Sequence, residues 1–313
     1  MAGNSNFDEI LTTTLNKYVP KLVENIFSAR PLFYALTNSS TMRTVSGGAK
    51  IVVPIIYGTN STAGSYSGTD TISTTAQTGI SAAEYDWGQY AATVTINGME
   101  EAKNNGEAQI IDLLEGKIFQ TQETIIENMN TMFYGDGSLN SGKDWEGIAG
   151  LVDSAGTVGN IDPTGAGNGF WASSETAVGG ALTTAAMATM YNNVSVGNDQ
   201  PTIILTTQTL YEKYETLLTS NIRYTDTDMA DAGFQNLMFK GAPVTFDGSC
   251  ASGVVYFLNT KYLQLVRHSD VWFKPTPFVR PTNQDAVFSQ ILCYGQLTCS
   301  NRARQGKLTG ATA

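Results

Sequence analysis

A chain of 313 residues with 42% hydrophobic residues can build the core of one large domain or two modest ones. Its formal net charge of -10 excludes a surface made to grip phosphates, which needs clustered Lys and Arg, so nucleic acid near this protein is enclosed and not held. Only 15% of residues are charged, against about 25% in ordinary soluble domains; with 31 glycines, this leaves a neutral polar surface that loses little when dehydrated against a partner.

Met1 to Asn6 lacks the basic flank and apolar run of an export signal, and no stretch approaches the ~18 continuous apolar residues of a membrane span. From Phe7 to Phe27 the residues Phe7, Leu11, Leu15, Tyr18, Val19, Leu22 and Ile26 recur at three- and four-residue steps. That spacing predicts an amphipathic helical arm, divided at Pro20 and ended by Pro31, with Pro31 to Leu36 anchoring it before the chain turns extended.

Ile51 to Tyr57 reads as a strand whose Pro54 places it at an edge, and Tyr90 to Ile96 alternates as a half-buried strand does. The two are expected to be the arms of one long hairpin. Between Ile51 and Ala83 the only acid or base, tyrosines aside, is Asp70. A stretch this long without structure of its own is a plain surface loop or, on the sharper reading, a hairpin laid over a neighbouring subunit.

Acidic Glu100, Glu101 and Glu107 lead into a helix expected from about Glu107 to Tyr134, ~42 Å long at 1.5 Å per residue. Its apolar face runs through Ile111, Leu114, Ile118, Ile125, Met129 and Met132, reinforced by Ile110, Phe119, Ile126 and Phe133, and Gly135-Asp136-Gly137 ends it. Further helices are expected over Ala181–Tyr191 and Thr207–Leu218. Strands are expected at Ile203–Leu205, Leu237–Phe239 and Pro243–Phe246, with a tight turn at Lys240-Gly241-Ala242, and the last third is mainly β.

The order of arm, hairpin, long helix and mixed α/β region resembles the Hong Kong 97-type capsid fold of tailed-bacteriophage major capsid proteins, an α+β fold. Glu84 to Tyr90, ahead of the second hairpin strand, and Met238 to Val244 carry the resemblance locally. It implies an N-arm (1–45), an E-loop hairpin (46–97), a peripheral domain with its spine helix (98–175), an axial domain (176–270), and returning peripheral strands with a C-terminal tail (271–313). It implies hexamers and pentamers in which each E-loop lies across a neighbour, closing an icosahedral head around double-stranded DNA with no sequence-specific contact. Portal, scaffolding and decoration proteins would be the partners, in a virion assembled in the host bacterial cytoplasm.

On this resemblance Phe7, Leu11, Leu15, Leu22 and Ile26 of the arm, with Tyr57, Tyr66, Asp70 and Ile72 of the hairpin, are the candidate assembly contacts. Some members carry a long charged N-terminal scaffolding segment; this chain starts almost directly at the arm, so it uses a separate scaffold or has been trimmed. Some form a lysine–asparagine cross-link through the E-loop. Here Tyr57 to Ala83 contains no lysine and Lys50 sits at the hairpin base, so the shell is expected to be non-covalent.

Nothing in the sequence assigns catalysis, a cofactor or a metal. His268 is the only histidine and reads as part of a polar turn with Arg267 and Asp270. Asp226, Asp228 and Asp231 lack the glycine and terminal glutamate of a calcium loop. Gly165 to Gly169 has no phosphate-loop ending, and Gly64-Ser65-Tyr66-Ser67-Gly68 has a tyrosine where a nucleophilic serine would stand. Cys250, Cys293 and Cys299 form no metal pair and are expected to pack as small hydrophobes, while Arg302, Arg304 and Lys307 are expected in a solvated tail. The alternatives are an encapsulin-like nanocompartment shell and a polymeric tail-tube or surface protein.

Overall fold

The computed structural model describes residues 30–37, 41–103, 107–218 and 237–313, without side-chain detail at residues 37, 101–103, 107–115, 122, 123 and 126. The expected arm with Phe7, Leu11, Leu15, Leu22 and Ile26, and the acidic trio Asp226, Asp228 and Asp231, lie outside the described residues. Pro31 opens a helix, α1 (Pro31–Thr37), instead of closing one. Proline is at home in a first turn because the N–H it lacks would have no partner there. Leu32, Phe33 and Leu36 of α1 are fully buried.

Two sheets form the body. The first is built on β12 (Ala286–Cys299), which pairs antiparallel with β4 (Gly88–Asn97) on one side and with β10 (Leu263–His268) and β11 (Lys274–Pro275) on the other. β1 (Met42–Val45) adds parallel to β10. Opposite glycines in this sheet, Gly88 on β4 and Gly295 on β12, make a slot for an indole. A Cβ on Gly88 would stand 2.2 Å from Trp145 Cδ1, and one on Gly295 3.0 Å from its Cη2. Trp145 is fully buried there, with Phe133 edge-on at 5.8 Å and Phe33 edge-on to Phe133 at 4.8 Å.

That aromatic chain fixes the long helix. A short helix, α2 (Gly98–Lys103), precedes α3 (Glu107–Tyr134), whose 28 residues match the expected span. Ile118, Ile125, Met129, Met132 and Phe133 are buried, as the periodicity predicts. Phe119 is not: it is 61% exposed, because its position turns away from the sheet that the i, i+4 stripe faces.

The second sheet runs β5 (Ser174–Ala181), β13 (Gly306–Thr312), β9 (Val255–Leu258), β6 (Ile203–Thr206), β8 (Ala242–Phe246) and β7 (Leu237–Phe239), in that spatial order. One face, through Ile203, Leu205, Tyr256 and Leu258, joins the core that contains α3. The other, through Ile204, Val244, Val255 and Phe257, is covered by α5 (Thr184–Val194) and α6 (Gln208–Leu217), after the short α4 (Ile148–Leu151) earlier in the chain. The helix expected from Ala181 starts later because Ala181 ends β5 and Thr183 caps α5, accepting from Ala186 N at 3.2 Å. β7 and β8 meet at the expected turn, where Lys240 and Gly241 both take positive φ (49° and 90°). That pair of angles suits a two-residue hairpin connection.

The chain passes between the sheets three times, at 145–173, at 259–262 and at 300–305, so the segments set apart by the resemblance interleave. Leu263–His268, placed in the axial segment, lies in the first sheet; Gly306–Thr312, placed in a tail, lies inside the second. Arg302 is correspondingly no tail residue. It is fully buried and donates to the carbonyls of Leu151 (2.9 Å), Gly156 (2.8 Å), Asp153 (2.7 Å) and Gly150 (3.3 Å). Arg304 pairs with Asp199 at 4.0 Å and Lys307 with Glu175 at 3.4 Å. A solvated tail was expected for these three cations; the fold sends each to a different partner.

Gln305 and Asn259 exchange two bonds, Asn259 N to Gln305 Oε1 at 2.9 Å and Gln305 Nε2 to Asn259 O at 3.0 Å, tying the second crossing to the third. Replacing Arg302 with alanine strands buried carbonyls of the first crossing and cuts its tie to the third. Loss of about 3–5 kcal/mol in chemical denaturation is the expected result, against under ~1 kcal/mol for Arg304→Ala.

Candidate assembly surface

A hairpin is present, differently paired from expectation. β2 (Ile51–Ile56) pairs with β3 (Ile80–Tyr85), a strand the sequence reading passed over, while Tyr90–Ile96 lies in β4 of the first sheet. β3 escaped notice because Ile80-Ser81-Ala82-Ala83-Glu84-Tyr85 is small and weakly apolar; its partner supplies the pattern. Residues 57–79 form the loop that joins the two strands.

The inner face of this hairpin is part of the core. Ile51, Val53, Ile55, Ala83 and Tyr85 are each at most 5% exposed and pack with Val158, Ile161 and Trp171. Glu84 N donates to Gly159 O at 3.0 Å, and a Cβ on Gly159 (φ 60°) would come within 2.6 Å of Ala83 Cβ. Tyr85 reaches deepest, donating to Cys299 O at 2.9 Å and accepting from Cys299 N at 3.2 Å; burial holds its phenol well above the usual range. Lys50 pairs with Glu84 at 3.3 Å and Asp86 at 3.9 Å at the base, half-exposed ion pairs of small worth.

The outer face is apolar too, and open. Ile56 and Ile80 are cross-strand partners, 80% and 77% exposed, with Val52 (49%), Pro54 and Ala82 beside them. The sequence candidates lie farther out. Tyr57 is 41% exposed and stacks on Phe170 of its own chain at 4.2 Å, so one side of its ring is already used. Tyr66 and Ile72 are 68% and 60% exposed. Asp70 does not project freely: its carboxylate accepts from Ser67 N at 2.8 Å and folds the tip back on itself. The structure therefore brings Tyr57, Tyr66, Asp70 and Ile72 onto one hairpin.

Val52, Ile56 and Ile80 were missed as candidates. The signal was present in Ile51-Val52-Val53-Pro54-Ile55-Ile56, which is apolar at every position; a strand with only one face to bury alternates. Beyond Gly58 the loop is held, besides the Asp70 carboxylate, by hydroxyl and amide groups: Ser61 Oγ to Gln77 Oε1 at 3.0 Å, Thr62 Oγ1 to Asn60 Oδ1 at 2.6 Å, Gln77 Nε2 to Thr75 O at 3.1 Å.

Below the hairpin lies a cavity of about 370 Å³ whose lining includes Glu84, Asp86, Asp136, Asp144 and Glu146. Burial pushes the Glu146 carboxyl above the ordinary range and Asp136 adds to this, while Arg302 opposes it. Elsewhere the chemistry is structural. His268 Nδ1 accepts from Asp270 N at 3.1 Å and its ring lies 5.6 Å from Trp87, a polar turn as expected. Cys250, Cys293 and Cys299 are free and buried, and burial raises each thiol to about 12, so they pack as apolar groups. Among the described residues no group of three or more His, Cys, Asp or Glu side chains could hold a metal ion, and no helix is long and apolar enough to cross a membrane.

Two measurements follow from the hairpin and its base. Ile56→Ser with Ile80→Ser should change unfolding free energy by less than ~0.5 kcal/mol, whereas Ile55→Ala, on the opposite face of the same strand, should cost about 2–5 kcal/mol. Because the Glu146 carboxyl is raised in the fold, the native state binds the extra proton, and stability falls as pH rises through the folded value. Glu146→Gln should flatten that part of the stability–pH curve and stabilise the protein at neutral pH; an unchanged slope would count against it.

No protein-family model matches this sequence, and no curated protein matches it. Solved structures do. The capsid asymmetric unit of cyanophage A-1(L) superposes with a TM-score of 0.68 at 17% identity, covering 92% of this chain and 94% of that one. The capsid of a native GTA particle gives 0.61 at 13% identity, covering 89% and 91%. The SrpI encapsulin of Synechococcus elongatus PCC 7942 gives 0.56 at 10% identity, covering 87% and 85%. Phage capsids and an encapsulin thus match along nearly the whole chain: the protein has the α+β Hong Kong 97-type capsid fold.

Proposed function

We propose that this chain is the major capsid protein of a tailed bacteriophage. Its copies assemble into hexamers and pentamers that close an icosahedral head around double-stranded DNA. The fold supports a shell role, and the outer face of the hairpin carries the reading further. Ile56 and Ile80, three-quarters or more exposed on a segment that projects from the body, are poor candidates for a permanently solvated surface. A neighbouring subunit would bury them.

Assembly proceeds in this reading through many modest contacts. The inner hairpin face is anchored in its own core, so the projecting strands are ordered before a neighbour arrives and docking costs little conformational entropy. The loop beyond Gly58 offers hydroxyls and amides and one carboxylate already bonded within the loop, so it can be dehydrated without stranding an ion. Each subunit added to a closed ring engages several partners at once, which raises the effective concentration of every further contact. In this reading the chain is a structural subunit and not an enzyme. The arm residues Phe7, Leu11, Leu15, Leu22 and Ile26 would add a second strap between neighbours, with portal, scaffolding and decoration proteins joining the same shell in the bacterial cytoplasm.

Within this reading the shell is non-covalent. The lysine nearest the hairpin, Lys50, is engaged by Glu84 and Asp86 at its base and does not reach the loop. The likeness to an encapsulin makes a cellular nanocompartment the second reading, and it differs in contents: protein cargo in place of a genome.

Gly58 and Gly79 approach closely enough that Thr59–Thr78 can be replaced by Asn-Gly as a two-residue turn. The shortened subunit should unfold within about 3 °C of the parent, because the loop lies outside the core. It should form no closed particles by negative-stain microscopy where the parent does, and normal particles from the shortened chain would overturn the hairpin's role. Particles of the parent purified from infected cells should contain double-stranded DNA; protein cargo without DNA would favour the encapsulin reading.

A further inference from the structure

β2 and β3 form a sheet of their own, and among the described residues neither pairs with any other strand. Each therefore has an open edge. The register decides which backbone groups lie on those edges. Tyr57, next after the paired residue Ile56, donates to Gly79 O at 2.9 Å. In an antiparallel ladder the bonded positions alternate, so Ile51, Val53 and Ile55 turn their backbone groups toward β3, while Val52, Pro54 and Ile56 turn theirs to the outer edge of β2. On β3 the same alternation sends Ile80, Ala82 and Glu84 outward, and Glu84 N meets Gly159 O there at 3.0 Å.

The middle position on the outer edge of β2 is thus a proline. Pro54 has no N–H to offer, and its ring stands where the carbonyl of an added strand would approach. The hairpin's own ladder loses nothing, because the missing N–H would point away from β3. What the proline interrupts is hazardous. Ile51-Val52-Val53-Pro54-Ile55-Ile56 is apolar throughout, β-branched at every position but Pro54, and free of charge. Such a segment on an open edge is a template for the same segment of a second copy. Val52 and Ile56, 49% and 80% exposed, would add apolar contact to that pairing. Charge, the other common guard of an edge, is confined to the base at Lys50, Glu84 and Asp86.

We propose that Pro54 guards the β2 edge: it bars edge-to-edge pairing between hairpins and leaves the outer face, with Val52, Ile56 and Ile80, as the surface that a second copy covers. The excluded partner is an extended strand of another copy; the admitted one packs on side chains. Admission through the face rests on the proposed shell. The guard itself is a property of the hairpin and acts before any assembly.

Pro54→Ala and Pro54→Thr each restore the N–H, and threonine does so without a wholly apolar side chain. As full-length, unassembled protein, both should keep the parent's far-UV circular dichroism. Both should form thioflavin-T-positive aggregate, distinct from closed particles by negative-stain microscopy, at a concentration about tenfold below the parent's limit, the worth of one hydrogen bond gained per contact. Val52→Pro added to Pro54→Thr returns a proline to the same edge and should restore the parent's limit. Solubility equal to the parent's in the single variants, or aggregation of the double variant as ready as that of Pro54→Thr, overturns the guard. If one single variant does not fold, the other decides; loss of folding in both shows that Pro54 serves the fold and overturns the guard equally. Failure of the parent to form particles counts against the shell and leaves this comparison as it is.

Discussion

The structure depends on one buried cation. Arg302 sits where the third crossing leaves the first sheet, and its guanidinium is satisfied by four backbone carbonyls from the first crossing, with no carboxylate among those bonds. A buried charge is tolerable only when its hydrogen-bonding capacity is met, and the planar five-donor fork of arginine can meet several carbonyls at once where lysine cannot. Because those carbonyls belong to 150–156, the clamp sets the loop against which Trp171 and the hairpin's inner face pack. Trp171 lies 6.0 Å from the guanidinium and donates to Val158 O at 2.9 Å.

From that clamp the hairpin acquires its two-sided character. One face is as buried as any core strand and fixes the direction in which the hairpin leaves the body. The other is left apolar and open, which stabilises nothing in the isolated chain. In the proposed reading, folding uses one face of this two-stranded unit and assembly the other, residue by alternate residue. The loop beyond it has no ionised group free to resist dehydration, which suits a surface that is wet before assembly and dry after it. Lys50 with Glu84 and Asp86 keeps charge at the base, where it stays solvated.

The second sheet shows the same economy. Its strands alternate between two cores, one shared with α3 and one covered by α5 and α6, so no strand except at the edges has a solvent-facing row. Joining two such layers by apolar packing alone would leave their relative angle weakly specified. Asn130 and Asp247 add a directional contact near the C-terminal end of α3, and directional contacts specify geometry where apolar ones specify only burial.

Local signals in the sequence determined a great deal. The long helix, 28 residues in length, was legible to its end residues because its helical apolar periodicity and a Gly-Asp-Gly stop depend only on neighbours along the chain. The Lys240-Gly241 turn and the strand Ile203–Leu205 were legible for the same reason, as was the ordered pattern of parts that pointed to the capsid fold. Pairing was decided by tertiary structure. Two strands expected to pair with each other, Ile51–Ile56 and Tyr90–Ile96, went to different sheets, because a strand's partner is chosen by what lies across it. Arg302 and Phe119 were misplaced on the same ground: whether a charge is clamped or a ring exposed depends on distant backbone, and no spacing along the chain encodes where that backbone will be.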